Sequence, residues 1–415
     1  MQHTPKCRFC AEPLTHVMCD LGMSPLANSY VRFEDSQNAE KSYPLKVWVC
    51  GNCLLAQLES FESPDAIFGD YLYFSSFSTS WVEHARRYCE MMTGRFGFDA
   101  NSQVIEIASN DGYLLQHFKA MGIPVLGVEP AANVAKVAWE ERGIPSVVNF
   151  FGVETAKELV ASGQSAKLLM GNNVLAHVPD INDFVGGLKL ALDPAGVITF
   201  EFPHLQRLIA GNQFDTIYHE HFSYLSFLAV EKVFAHHGLT LFDVEELPTH
   251  GGSLRIFARH TEHIAPAMAI TPRVDAMRDQ ETEFGLTRME TYTAFGDKVQ
   301  ATKRHLLKFL IDAKQAGQSV VGYGAAAKGV TLLNYCGVRD DLVDYVVDKS
   351  PYKQNHYMPG VRIPIYGPDK ISETKPDYVL ILPWNLQKEI RAEMAKVREW
   401  GGRFVAPIPE VTVLD

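Results

Sequence analysis

From residue 103 to residue 202 the chain alternates short apolar runs with segments whose apolar residues recur every three or four positions, and this constrains the fold more than any other feature. Strands are expected at 103–108, 125–128, 146–149, 167–170 and 196–202. Helices are expected between them at 113–121, 133–142, 153–161 and 181–192, with one more at 81–96 ahead of the series. Strands joined through helices run parallel, because a parallel pair needs a long crossover, and the crossovers cover both faces of the sheet. A doubly wound α/β unit follows. Residues 261–317 are charged and helix-favouring, and beyond them the pattern resumes with strands at 319–323, 342–347, 378–382 and 403–406 and helices at 327–335 and 387–400. That predicts a second, smaller α/β unit behind a helical connector.

The first 70 residues read differently, being rich in Cys, Pro and polar breaks. Cys7-Arg-Phe-Cys10 and Cys50-Gly-Asn-Cys53 are two Cys-x-x-Cys turns, each aiming two thiolates at one point. Together they supply the four soft ligands of a tetrahedral zinc. Four cysteines leave no open coordination position, so the expected zinc is structural, folding a module too small to hold itself together. The remaining Cys19, Cys89 and Cys336 are isolated, which argues against a disulfide framework.

At 415 residues the chain exceeds a single core. The divisions expected are a zinc-binding domain at 1–70, a central domain at 71–260, and a connector with C-terminal domain at 261–415. With 38 Lys+Arg against 49 Asp+Glu, the net charge of −11 disfavours nucleic acid, which calls for many phosphate-neutralising cations. No apolar run approaches the roughly 20 residues of a membrane span, and residues 1–7 have no apolar leader core, so a cytoplasmic protein is expected, as a monomer or small homo-oligomer.

The first strand of the central unit ends in Val104-Ile-Glu106-Ile-Ala108-Ser-Asn110-Asp111-Gly112, a tight turn before a helix, as in the cofactor loop of class I methyltransferases. Small residues at Ala108, Ser109 and Gly112 let a ligand pass close to the backbone. Glu129 ends the next strand, where an acidic side chain can accept both hydroxyls of a ribose. S-adenosylmethionine and a nicotinamide dinucleotide both satisfy this geometry. The turn lacks the Gly-x-Gly-x-x-Gly seat for a pyrophosphate, which the sulfonium cofactor does not need. Asn172-Asn173-Val-Leu-Ala-His177-Val-Pro, after the strand at 167–170, resembles the methyltransferase loop that floors the transfer site.

Tyr218-His-Glu220-His221 follows the fifth strand, and a phenol, a carboxyl and two imidazoles in four positions are costly to bury unless used. Methylation of a carbon next to a ketone has a use for each. His221 suits the base that removes the α-proton, Glu220 can orient an imidazole or hold a sugar hydroxyl, and Tyr218 can donate to the enolate oxygen or relay the proton. His177 faces the same edge of the sheet, and Tyr71-Leu-Tyr73-Phe-Ser75-Ser76 can fold over the cleft. His219, His236 and His237 read as structural or surface groups. Gly322-Tyr-Gly324-Ala-Ala-Ala-Lys328 is either a vestigial Rossmann turn without a ligand, since Ala326 and Ala327 occupy the end of the glycine fingerprint, or, if the chain is similar to the sugar-nucleotide methyltransferases, a place where backbone N–H groups and a lysine meet a diphosphate, with Lys349, Lys353 and Asn355 nearby in sequence.

Taken together the chain resembles the three-domain, zinc-containing, S-adenosylmethionine-dependent sugar C-methyltransferases of deoxysugar pathways, typified by the C-3 methyltransferase for tetronitrose. The resemblance runs through nearly the whole chain. It is carried by the paired Cys-x-x-Cys, Tyr-x-Tyr-x-Ser-Ser, Glu-Ile-x-x-Asn-Asp-Gly, Asn-x-Leu-x-His-Val-Pro, Tyr-x-Glu-His-Phe, His-Gly-Gly, Val-Gly-Tyr-Gly-Ala-x-Ala-Lys and a closing Pro-Glu-Val.

The resemblance implies an N-terminal zinc module, a central class I methyltransferase Rossmann-like domain and a C-terminal Rossmann-like domain, with a nucleotide-linked 4-keto sugar between domains. It implies an active-site group of Tyr218, Glu220, His221, Tyr71 and His177, with His221 the base. The nucleotide, whether dTDP, CDP or GDP, the sugar and the stereochemistry stay open. Two departures stand out: Ala108-Ser109 replaces Gly-Cys in the cofactor turn, and His219 adds an imidazole where a relative has Asp, which leaves open whether His221 or His219 takes the proton. The alternatives are an NAD-dependent nucleotide-sugar oxidoreductase using Gly322 to Lys328 and Asp348, and a non-catalytic zinc-stabilised nucleotide-sugar binding protein.

Overall fold

A computed structural model describes residues 4–63 and 74–414. The N-terminal strands are β1 (His16–Ser24), β2 (Val31–Arg32), β3 (Tyr43–Val49) and β4 (Ala56–Gln57). The central strands are β5 (Val104–Ile107), β6 (Val125–Val128), β7 (Ser146–Val147), β8 (Ala166–Asn172), β9 (Leu192–Pro203), β10 (Ser223–Tyr224), β11 (Leu239–Leu247) and β12 (Ser253–His260). The C-terminal strands are β13 (Val320–Tyr323), β14 (Val346–Val347), β15 (His356–Tyr357), β16 (Pro364–Tyr366), β17 (Tyr378–Ile381), β18 (Arg403–Ala406) and β19 (Thr412–Leu414).

The central sheet has the order β11-β12-β9-β8-β5-β6-β7. Its pairs among β9, β8, β5, β6 and β7 are parallel, as the strand-helix alternation requires. Side chains alternate across it: Ile105 and Ile107 enter one buried cluster, Val104 the opposite one. Local signals set the helices. Thr79–Phe96 starts on Ser78, whose side chain accepts the Trp81 N–H, and stops at Gly97, whose φ of 70° is left-handed. Ile181–Ala191 starts on Asp180, which accepts the N–H groups of Asn182 and Asp183.

The hairpin β11–β12, packed antiparallel on β9, was not anticipated. Both strands are buried along most of their length, so neither shows the two-residue alternation that marks a half-exposed strand. The strand expected at 342–347 shortens to Val346–Val347, because the N–H groups of Leu342 and Val343 turn back to the Arg339 carbonyl. The helix expected over 387–400 ends at Glu393 and continues as a tighter turn from Ala395 to Trp400.

The N-terminal segment is knitted into both other units. Its sheet, β1-β3-β4-β10, takes its last strand from the central unit, Ser223 pairing with Gln57 and Tyr224 with Ala56. β2 pairs with β15 at the edge of the C-terminal sheet. One apolar cluster runs from Met18 and Val47 through Phe214 and Ile217 to Val330 and Leu380, so the three units share a core. Among the described residues no helix is long and apolar enough to cross a membrane.

Candidate active site and metal centre

The four cysteine sulfurs lie within 4.8 Å of one another, with Cys7–Cys53 at 3.5 Å and Cys10–Cys50 at 3.4 Å. A Zn–S bond of about 2.3 Å in a tetrahedron separates sulfurs by about 3.8 Å, so the set fits one zinc with all positions filled by the protein. Gln57 donates to the Cys7 sulfur at 3.2 Å while accepting the Arg8 N–H. Arg8 in turn donates to the carbonyls of Pro179, at 2.5 Å, and Leu58. Leu58 donates its N–H to the Phe222 carbonyl at 3.0 Å. The centre thus bears on the chain flanking His177 and His221, without itself having an open ligand position.

At the carboxyl end of β5 the turn uses three left-handed residues, Ala108 (φ 53°), Asn110 (φ 51°) and Gly112 (φ 75°). Gly112 is obligatory, since a Cβ there would meet Ile144 at 2.9 Å. Glu129 is buried and accepts the N–H groups of Asn110 and Ala131, both at 2.9 Å. It thereby ties this turn to the next, and each oxygen retains a lone pair for a ribose hydroxyl. Glu106 and Asp111 are buried beside it, each with one carboxylate oxygen unpartnered among the described residues. Burial, with Glu129 and Asp111 close by, holds the Glu106 carboxyl well above its usual range. Unpartnered carboxylates call for a ligand carrying donors and positive charge, and an amino acid sulfonium with a ribose fits that demand.

Ser75 lies at this turn, its N–H bonded to the Asn110 side chain at 2.9 Å. It is therefore drawn to the cofactor side rather than to the Tyr218–His221 group. The Asn172 amide reaches the Tyr113 hydroxyl at 3.5 Å, and the Asn173 amide nitrogen is 3.1 Å from His250 Nε2. Tyr71 and Tyr73 lie outside the described residues.

Three side chains of the 218–221 segment and its neighbour loop converge. The ring of His221 is 4.1 Å from that of Tyr218 and 4.7 Å from that of His177. His221 Nδ1 donates to the Thr216 carbonyl at 2.9 Å, and burial beside His177 holds the imidazole well below the usual histidine range. Burial pushes His177, bonded to the Glu220 backbone, down to about 4. The same cause raises the Glu220 carboxyl to about 7, although Asn28 donates to it at 2.7 Å. The arrangement presents neutral imidazoles and a carboxyl that titrates near neutrality, the equipment for moving a proton. His219 points elsewhere, to the Pro44 carbonyl at 3.2 Å, with its ring against Tyr43 and Phe61.

The C-terminal unit touches this segment directly. Trp384 donates to Asp215 at 2.7 Å and Thr331 to the Ile217 carbonyl at 2.8 Å. Lys328 sits over the Trp384 ring at 4.8 Å and donates to Asn385 at 2.8 Å. Lys353 donates to the Ala325 carbonyl, which also accepts the Tyr30 hydroxyl. Gly324 (φ 88°) is required by Pro383, which a Cβ would meet at 2.5 Å. Lys349 instead forms an ion pair with Glu393 and is exposed, so it is not gathered with Lys328 and Lys353. Sequence reasoning passed over Asn28, Asp215, Trp384 and His250. Only His250 carried a signal, its place before two glycines.

Family models match three consecutive stretches: "Putative zinc binding domain" at residues 7–68, "Methyltransferase domain" at 81–244 and "C-methyltransferase C-terminal domain" at 248–409. The C-methyltransferase NovU of Streptomyces niveus is 36% identical over 413 residues, covering 99% of this chain and 97% of that protein. A ubiquinone biosynthesis O-methyltransferase of Methylobacterium is 30% identical over 101 residues, 24% of this chain and 39% of its own length.

Proposed function

Since the chain belongs to the zinc-containing, S-adenosylmethionine-dependent C-methyltransferases, we propose that it methylates C-3 of a 4-keto-6-deoxy nucleotide sugar. The observation that carries this reading is the junction at residues 214–221: a neutral imidazole with a free Nε2 stands on a segment clasped by the C-terminal unit through Asp215–Trp384 and Ile217–Thr331. A substrate with a reacting ketone at one end and a diphosphate at the other matches a base beside a cationic side chain.

In this reading His221 Nε2 removes the proton α to the carbonyl, and Tyr218 and Glu220 orient the sugar. His177 packs the base in a setting that keeps it uncharged. Glu106, Asn110, Asp111 and Glu129 hold S-adenosylmethionine, with Ala108 and Gly112 giving it room and Asn172 and Asn173 closing the cleft. The cofactor supplies an electrophilic methyl group when bound. Lys328 and Lys353 face the diphosphate, while Lys349 takes no part. The four cysteines hold zinc, which fixes the segment after His221 through β4 and β10.

Mass spectrometry of reactions with dTDP-, CDP- and GDP-linked 4-keto-6-deoxyhexoses tests it. One member of the panel gains a methylene. If none does while S-adenosylmethionine still binds, the substrate class is wrong.

A further inference from the structure

His250 stands in a place that the 218–221 segment does not account for. It has φ 55° and ψ 21°, a left-handed conformation costing a non-glycine residue about 1 kcal/mol or more. The turn holds it there: Gly251 (φ 91°) has no room for a Cβ, which would lie 2.8 Å from both Gln213 and Trp384. Its ring packs edge-on against Trp81 at 5.4 Å and meets the Asn173 amide nitrogen at 3.1 Å. Asn173 is four residues before His177, whose ring touches His221. Desolvation by the surrounding protein and the nearby Lys328 push its pKa down to about 4, and His250 in turn bears electrostatically on His221. His250 thus stands against the loop that carries His177 and within electrostatic reach of His221.

An amide nitrogen can only donate, so His250 Nε2 accepts from Asn173 and the ring proton sits on Nδ1. Both histidines therefore carry their proton on Nδ1. His221, bonded through Nδ1 to Thr216, offers a lone pair on Nε2, and His250 offers an N–H.

We propose that His250 is a further catalytic residue, the donor that stabilises the enolate oxygen while His221 takes the α-proton. This rests on the keto-sugar reading. In the step, the C–H bond breaks and an N–H bond forms at His221 Nε2. The C–H electron pair becomes the new C=C bond, and the carbonyl π pair moves to oxygen, which receives the His250 Nδ1–H hydrogen bond. Nδ1–H is a neutral donor held in place before the charge develops, and such a donor contributes roughly 10² to 10³ in rate.

The test is exchange of the α-proton with D2O, followed by NMR on the zinc-loaded full chain without S-adenosylmethionine, using the panel member that the wild type methylates. His250→Gly keeps the left-handed backbone and removes the donor. Exchange is expected to fall about 100-fold, with zinc content and S-adenosylmethionine affinity unchanged and added imidazole restoring part of the rate. His250→Asn, which tolerates the conformation and carries an N–H, is expected to fall less. Exchange in His250→Gly within a few-fold of wild type overturns the proposal, as does a loss that imidazole does not relieve and that His250→Asn shares fully. A wild type that methylates no member of the panel overturns the keto-sugar reading, and this inference with it.

Discussion

The Nδ1 nitrogen of His221 lies 2.9 Å from the carbonyl oxygen of Thr216. A carbonyl only accepts, so the proton resides on Nδ1 and the basic lone pair on Nε2. Burial keeps the ring uncharged at neutral pH. Replacing His221 with Asn is expected to lower turnover by 10² to 10⁴, the usual contribution of a general base, while calorimetry finds S-adenosylmethionine binding intact.

Glu220 sets a pH dependence of two opposite signs. Its carboxyl is raised to about 7 in the folded chain against 4.5 unfolded, so the folded state binds more protons between those values. Stability then falls as pH rises from about 4.5 to about 7, by about 3 kcal/mol in all. Activity that uses the carboxylate to accept a sugar hydroxyl rises over the same limb near pH 7. Glu220→Gln is expected to flatten both, by denaturant titration and by kcat/KM against pH.

The zinc centre bears on the base rather than on the cofactor turn. Leu58 and β4 bond the chain immediately after His221, whereas Glu129 holds the cofactor turn from within the central unit. Chelation, checked by metal analysis, is expected to abolish methyl transfer while S-adenosylmethionine binding survives. Loss of both together would contradict this division.

Ala108 sits at φ 53°, a conformation that favours glycine. Ala108→Gly removes that strain, and a gain in stability of about 1 kcal/mol is expected in denaturant titrations, with cofactor binding preserved.

Much of this was legible in the chain because its signals are local. The cysteine turns, the strand Val104–Ile107 and the Gly112 turn each depend on a few adjacent residues, and the strand-helix rhythm dictates the parallel sheet. Tertiary pairing was not legible. Nothing near Ser223 announces that it pairs with Gln57, and Lys349 reads like Lys353 until Glu393 is seen to hold it. His250 gains its surroundings from Asn173 and Trp81, both distant in sequence, and only the two following glycines hint at an unusual backbone.

The most direct measurement uses a nucleotide-linked 4-keto-6-deoxyhexose deuterated at C-3, incubated with the protein and S-adenosylmethionine and followed by NMR. Deuterium is expected to be lost to water, with a new methyl signal appearing on that same carbon. Deuterium retained at C-3, or a methyl group found on oxygen, would contradict carbon methylation at C-3.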